Sequence, residues 1–299
     1  MGKVARKRRF SSLGLQECSE HSCMSATKRG IFFWSREVQS GCSWRSLSLI
    51  AARMPRFLIL IYTVLIPMAL AAADPPVIVL DPGHGGKGEA GSLKERSNSS
   101  PNNAATPGGL KEKDLTLEFS LVLKEEILAE SNRRGDRVGV LLTRDGDFNL
   151  DFIQRAETCN RPDTACVVSI HFNAANGDAM GSLALIAAEN RNPGYAIDRA
   201  FGEGLAAACS AGVKQFLPQS KDRGVITDGH LHGGLGSNFF FQLNRQPHLK
   251  GVPKCFLEVE FIDNPAVEKA ILKNDRIANF RVIVRPIAIY LLDSVQKRK

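Results

Sequence analysis

The chain has 299 residues, with 39 Lys+Arg against 31 Asp+Glu and a formal net charge of +8. The excess lies in residues 1–73, which hold 11 basic and 3 acidic side chains, so the remaining 226 residues carry 28 of each sign. That balance speaks against a nucleic-acid surface on the main body, and 226 residues suffice for one domain with a substantial core but leave little room for a second.

Residues 1–53 are rich in Arg, Lys and Ser and show no sustained hydrophobic period, so no core is expected there. From Met54 the pattern changes to that of a secretory signal over 54–73. Arg56 supplies the positive start, Phe57–Ile66 the apolar stretch, and Ala71-Ala72-Ala73 a small-residue cleavage site. The apolar run 57–73 covers 17 residues and is broken by Pro67, which is short for a membrane span, so no stable anchor is expected after cleavage. A signal normally begins a chain, so Met54 is expected to be the start, with 1–53 an over-extended reading frame or a disordered extension. Residues 74–299 then form the exported body, periplasmic or extracellular.

Within that body, Val77–Leu80 reads as a strand buried on both faces. Ser92–Pro107 is polar and rich in Asn, Ser and Pro, and reads as a long surface loop. Leu115, Phe119, Val122 and Leu123 recur at helical spacing, which predicts a helix over 114–128 with Glu112 just ahead of it. Strands are predicted at 138–142, 166–170, 181–187 and 255–261. Helices are predicted at 150–160 and 196–208, and a helical region opens at Asn264-Pro265. The alternation predicts an α/β fold: a single domain with a mostly parallel central sheet flanked by helices on both faces.

Four segments carry chemistry: Asp81-Pro82-Gly83-His84-Gly85-Gly86, Leu110-Lys111-Glu112-Lys113-Asp114, Ser169-Ile170-His171-Phe172-Asn173 and Leu257-Glu258-Val259-Glu260-Phe261. They supply two histidines, one carboxylate to complete a metal site and one spare carboxylate to act as a base, the inventory of a catalytic zinc site with an open position. His84 and His171 both follow predicted strands, where ligands collect in open α/β sheets.

The order of these motifs, with Leu142-Thr143-Arg144-Asp145 and the Glu-x-x-Phe-Ile-x-Asn-Pro run from Glu258, resembles the zinc-dependent N-acetylmuramoyl-L-alanine amidases of bacterial cell-wall turnover. The similarity extends from about Val77 to about Leu272. It implies hydrolysis of the amide between N-acetylmuramic acid and L-alanine in peptidoglycan. By the same resemblance Zn2+ falls on His84, Glu112 and His171, and the catalytic glutamate on Glu258. Two alternatives stand beside this: an amidase or peptidase acting on soluble muropeptides or another amide, and an inactive peptidoglycan-binding domain. No feature of the sequence identifies an activator protein.

Two positions depart from the family pattern. Phe172 follows the second histidine where a small residue is usual, and Glu260 stands where glycine is usual. Glu258 and Glu260 share strand parity, so Glu260 is a second carboxylate that either joins the proton transfer or pairs with a cation. Asp81 is expected to orient a metal-bound histidine through its other N–H, or to bond its own backbone in a turn. Arg223, His230 and His232 are candidates for contacting substrate, with a structural ion pair as the alternative for Arg223. Cys159, Cys166, Cys209 and Cys255 allow one or two disulfides in an oxidising compartment, or four buried thiols.

Overall fold

The computed structural model describes residues 74–297, and the expected leader and signal over 1–73 lie outside the described residues. Six strands form one sheet: β1 (Val77–Pro82), β2 (Gly139–Leu142), β3 (Thr164–Asn173), β4 (Ser182–Ile186), β5 (Asp222–Thr227) and β6 (Lys254–Phe261). Their order is β2-β1-β3-β6-β4-β5. The first four neighbours pair in parallel, whereas β4 runs antiparallel to β6 and carries β5 parallel to itself. The predicted parallel sheet is therefore present, with a reversed two-strand edge.

The inner strands are largely apolar because both of their faces are covered. Ile78 and Leu80 of β1, Val168 and Ile170 of β3, and Leu257 and Val259 of β6 pack into one core. That core is closed by α1 (Glu112–Arg134), a second long helix Tyr195–Val213 and a third, Arg276–Gln296. The alternate residues Val77, Val79, Val167 and Phe256 face the other way. They meet two short helices, Phe152–Cys159 and Asn238–Leu243, through Ala156, Cys159, Phe239 and Phe240. In chain order these five helices are α1 to α5: α2 is Phe152–Cys159, α3 Tyr195–Val213, α4 Asn238–Leu243 and α5 Arg276–Gln296. No described helix is long and apolar enough to cross a membrane.

Several boundaries move from the sequence reading. Helix α1 starts at Glu112, so Glu112 belongs to its first turn, where the positive end of the helix favours a carboxylate. It ends at Gly135, whose φ of 74° closes the last turn. Strand β3 continues past Ile170 to Asn173, which puts His171 inside it. Helix α3 runs past the predicted 208 to Val213, with Gly212 in its last turn buried against the backbone of Ile283 in α5. Strand β5 and helix α4 were not expected: the residues of β5 are exposed or half-buried, and α4 spans only six residues.

The expected surface loop 92–107 is packed down. Ser97, Ser99, Ala104 and Thr106 are buried, Ala90 pairs with Ser99, and Thr106 donates to the buried Glu268 carboxylate (2.9 Å). Its polar composition reflects bonding to backbone groups, as when Asn102 donates to the Ala104 carbonyl (2.7 Å).

Cys159, Cys166, Cys209 and Cys255 are buried and form no disulfide. Of the two readings left open by the sequence, the structure has four buried thiols. Burial raises the Cys159 and Cys255 thiols well above their ordinary range and pushes Cys209 up to about 12.

Candidate active site

His84, Glu112 and His171 converge from three separate elements, each offering a donor atom within 4.8 Å of the others. His84 follows β1 in a glycine turn and itself adopts φ 61°, a left-handed conformation uncommon outside glycine. Gly85, at φ 130°, lies against the Phe148 carbonyl, where a Cβ would overlap it. Gly83 is required for a different reason: a side chain there would occupy the space of the His171 ring.

Each oxygen of Glu112 faces one ring nitrogen. His84 Nε2 lies 3.2 Å from Oε2 and His171 Nδ1 lies 3.1 Å from Oε1. His84 Nδ1 is 3.0 Å from the carbonyl oxygen of Ser100. A carbonyl only accepts, so Nδ1 carries the hydrogen and Nε2 presents a lone pair in the neutral ring. Lone pairs of nitrogen and carboxylate oxygen facing each other at this distance require a cation between them, a proton or a metal ion. Two nitrogens and one oxygen in such a cluster suit zinc, and the Ser100 carbonyl is the outer partner that fixes the tautomer of a ligating histidine. Burial works against ionisation of Glu112; in the metal-free site, with a proton in place of the metal between the facing atoms, hydrogen bonds from His171 and His84 outweigh it and hold the carboxyl at about 2.

Beside this cluster opens a cavity of about 460 Å³. Its lining includes the polar Asn98, Ser100 and Asn173 and the apolar Leu183, Ile226 and Phe256. Glu258 lies on this cavity too, because β3 and β6 place His171 and Glu258 in register. Its Oε2 is buried with no hydrogen-bond partner. Burial pushes the Glu258 carboxyl up to about 7, with His171 pulling it down and Glu112 adding to the rise.

The remaining sequence candidates stand apart from the metal-type cluster, although Asp81 is among the residues lining the cavity. Asp81 touches neither histidine. It is buried, accepts from Arg155 (2.7 Å), Ser169 (2.6 Å) and Thr143, and makes an ion pair rather than a turn with its own backbone. The carbonyl of Ser100 takes the orienting role expected of Asp81, because His84 points its Nδ1 across to the 98–103 segment. Glu260 is fully buried and pairs with no cation. It accepts from the backbone N–H groups of Gly181 and Phe261 and from the Ser220 hydroxyl, and it does not line the cavity. Its parity matches that of Glu258, but two residues farther along the strand it reaches the loops flanking β4 and β5.

Arg223 is exposed on β5, donating to the Met180 carbonyl (2.8 Å) with its guanidinium 4.9 Å from the Phe261 ring centre, outside the cavity lining. The side chains of His230 and His232 lie outside the described residues. Phe172 points to the opposite face of the sheet, where it meets Phe119 and Phe280 in the core, so its bulk is remote from the cavity.

Two arginines were missed by sequence reasoning. Arg155 of α2 and Arg144 after β2 are each 1% exposed. Arg155 donates to the carbonyls of Pro82 (2.8 Å) and His84 (2.7 Å) besides Asp81. Arg144 donates to the carbonyls of Pro82 (3.0 Å) and Gly83 (2.8 Å). Three successive carbonyls of the His84 turn are thus held by buried guanidinium groups. The only sequence signal was the presence of Arg144 in the Leu-Thr-Arg-Asp segment, because nothing local marks an arginine as buried.

A family model described as N-acetylmuramoyl-L-alanine amidase matches residues 78–282. The N-acetylmuramoyl-L-alanine amidase CwlM of Bacillus licheniformis is 34% identical over 100 residues, 33% of this chain and 32% of that protein. An endolysin of Bacillus phage SPP1 is 34% identical over 101 residues, 34% of this chain and 30% of that protein. The chain therefore spans about a third of the length of these curated relatives. Among solved structures, an N-acetylmuramoyl-L-alanine amidase from Clostridium difficile 630 superposes with a TM-score of 0.57 at 17% identity, covering 76% of this chain and all of that one (100%). The catalytic domain of CwlV from Bacillus (Paenibacillus) polymyxa var. colistinus gives 0.53 at 20% identity, covering 74% and 98%. At these identities the two structures establish a shared fold.

Proposed function

The chain belongs to the N-acetylmuramoyl-L-alanine amidase family, and from that premise we propose that residues 74–299 form an exported catalytic domain that hydrolyses the amide between N-acetylmuramic acid and L-alanine in peptidoglycan. The observation that carries this reading is the placement of Glu258, a carboxylate of raised pKa with a bare oxygen, beside three convergent metal-type donors.

In this reading His84, Glu112 and His171 hold a zinc ion. When bound, zinc supplies Lewis acidity, acidifying water and polarising a carbonyl. Glu258 supplies the proton transfer. Its carboxylate takes the proton from the attacking water and returns it to the amine of L-alanine as the C–N bond breaks. A carboxyl near pH 7 is suited to both directions, being neither too weak a base nor too weak an acid. The Ser100 carbonyl keeps His84 in the ligating tautomer, and Gly83 leaves space for His171 to approach.

The cavity is also consistent with the substrate class. Its amide and hydroxyl side chains match the hydroxyls and acetamido group of a sugar, and its apolar side chains match small apolar groups.

The test is digestion of purified peptidoglycan, with products identified by mass spectrometry. Stem peptides bearing a free L-alanine amine are expected, lost on chelation and restored by zinc. Release from soluble muropeptides but not from intact sacculi would move the substrate to the smaller fragments. Bound zinc without release from either would overturn the amidase reading.

A further inference from the structure

We propose that Arg144 is a positioning residue that sets the separation of His84 and Glu112 before any metal arrives; this rests on the reading of those two residues as metal ligands. The guanidinium reaches both segments at once. Toward the His84 turn it donates to the carbonyls of Pro82 and Gly83. Toward the first turn of α1 it donates from Nη2 to the Lys113 carbonyl (2.8 Å) and to Thr116 Oγ1 (3.1 Å). Thr116 closes the bridge by donating from Oγ1 to the Gly83 carbonyl (2.8 Å). Nη1 holds the Gly146 carbonyl (2.9 Å), which ties the guanidinium to its own loop.

These contacts lie one residue from each ligand, at Gly83 beside His84 and at Lys113 beside Glu112. Among the described residues, Arg144 is the side chain from outside these two segments that donates hydrogen bonds to both; Thr116, within α1, adds its own bonds to the Gly83 and Lys113 carbonyls. His171, by contrast, is placed by the sheet itself, since Gly83 N–H donates to the Ile170 carbonyl (2.9 Å).

The chemistry argues for a positional purpose. A buried guanidinium is costly to desolvate, and no carboxylate accepts a hydrogen bond from Arg144. An apolar side chain would fill the space at lower cost, but only the planar fork with five N–H groups can join four backbone carbonyls in one rigid arrangement. Lysine keeps the charge and loses that geometry. Burial, with Arg155 adjacent, also draws the Arg144 pKa down to about 10, against the opposing pull of the Asp81, Asp147 and Asp114 charges.

The test is zinc affinity, measured on the full chain by competition with a chromophoric chelator, together with the rise in melting temperature that zinc produces. Arg144→Lys is expected to weaken zinc binding about 10- to 100-fold and to shrink the zinc-induced rise. In a Glu112→Gln background the same change should cost far less, since one of the two aligned ligands is already gone. Should Arg144→Lys fail to fold, Thr116→Val removes the shared hydroxyl more gently and should weaken zinc binding in the same direction. A lowered melting temperature with unchanged zinc affinity, or additive losses in the double variant, would assign Arg144 a purely structural role. If the wild-type chain binds no zinc, the functional reading falls and this inference with it. Normal wild-type binding with normal binding in the variants overturns this inference alone.

Discussion

His171 and Glu258 stand side by side on adjacent parallel strands, His171 on β3 in register with Glu258 on β6. Residues in register on neighbouring strands project to the same face, so the sheet itself holds the proposed base beside a proposed ligand. Neither position depends on a flexible loop, and Phe256, two residues before Glu258, packs its ring 5.0 Å from the His171 ring centre.

Replacing Glu258 by Gln keeps the shape and removes the proton acceptor. Hydrolysis of peptidoglycan is expected to fall about 10²- to 10⁴-fold while zinc content stays at the wild-type level. Turnover assays paired with metal analysis check this. Near-normal turnover in the variant would move the base to another residue.

The same variant should be more stable than wild type in the metal-free protein at high pH. Burial raises the Glu258 pKa from 4.5 unfolded to about 7 folded. A group raised on folding contributes stability that is fully present below its unfolded pKa and is lost as pH rises through the folded value. The advantage of Glu258→Gln should therefore grow between pH 4.5 and 7 and level off above, reaching about 1–3 kcal/mol after allowance for partial solvent screening. Denaturant melts in chelator at pH 5 and pH 8 measure it, and an advantage that is equal at the two pH values would count against a buried, titrating Glu258.

Asp81 gives the opposite sign. Burial opposes its ionisation, but Arg155, Ser169 and Thr143 outweigh burial and hold its pKa below the ordinary 3.8. Its contribution is present above that unfolded value and is lost as pH falls through the lower folded one. Asp81→Asn leaves Arg155 buried without its counter-charge and should cost about 3–5 kcal/mol at pH 7. The gap to wild type should narrow in acid, at pH below 3.8, which a pair of urea melts at pH 7 and pH 3 would reveal.

The four buried thiols predict insensitivity to reductant. The melting temperature should be the same with and without dithiothreitol. Alkylation of Cys159, Cys166, Cys209 and Cys255 should require denaturation, as read by peptide mass mapping. No disulfide-linked pair of these peptides is expected, and finding one would contradict the packing described for them.

Much of this protein was legible in its sequence because the deciding signals are local. Val77–Leu80 announces a doubly covered strand by its unbroken apolar run, and Gly83, Gly85 and Gly86 announce a tight turn around His84. The helical spacing of Leu115, Phe119, Val122 and Leu123 announces α1, and with it the helix end that carries Glu112. What the tertiary structure alone decided is which groups meet across the chain. Glu258 and Glu260 have the same strand parity, and only the register with β3 and the loops beside β4 and β5 separates a cavity carboxylate from a backbone-bonded one. Asp81 is two residues from Gly83 in sequence yet bonds Arg155, 74 residues away. A buried arginine such as Arg144 carries no local signature, since its solvation is replaced largely by carbonyls that the fold brings from two distant segments. Local pattern fixes how a segment presents its backbone and faces, and long-range packing chooses each polar group's partner, because a buried charge is stable only where the whole fold supplies one.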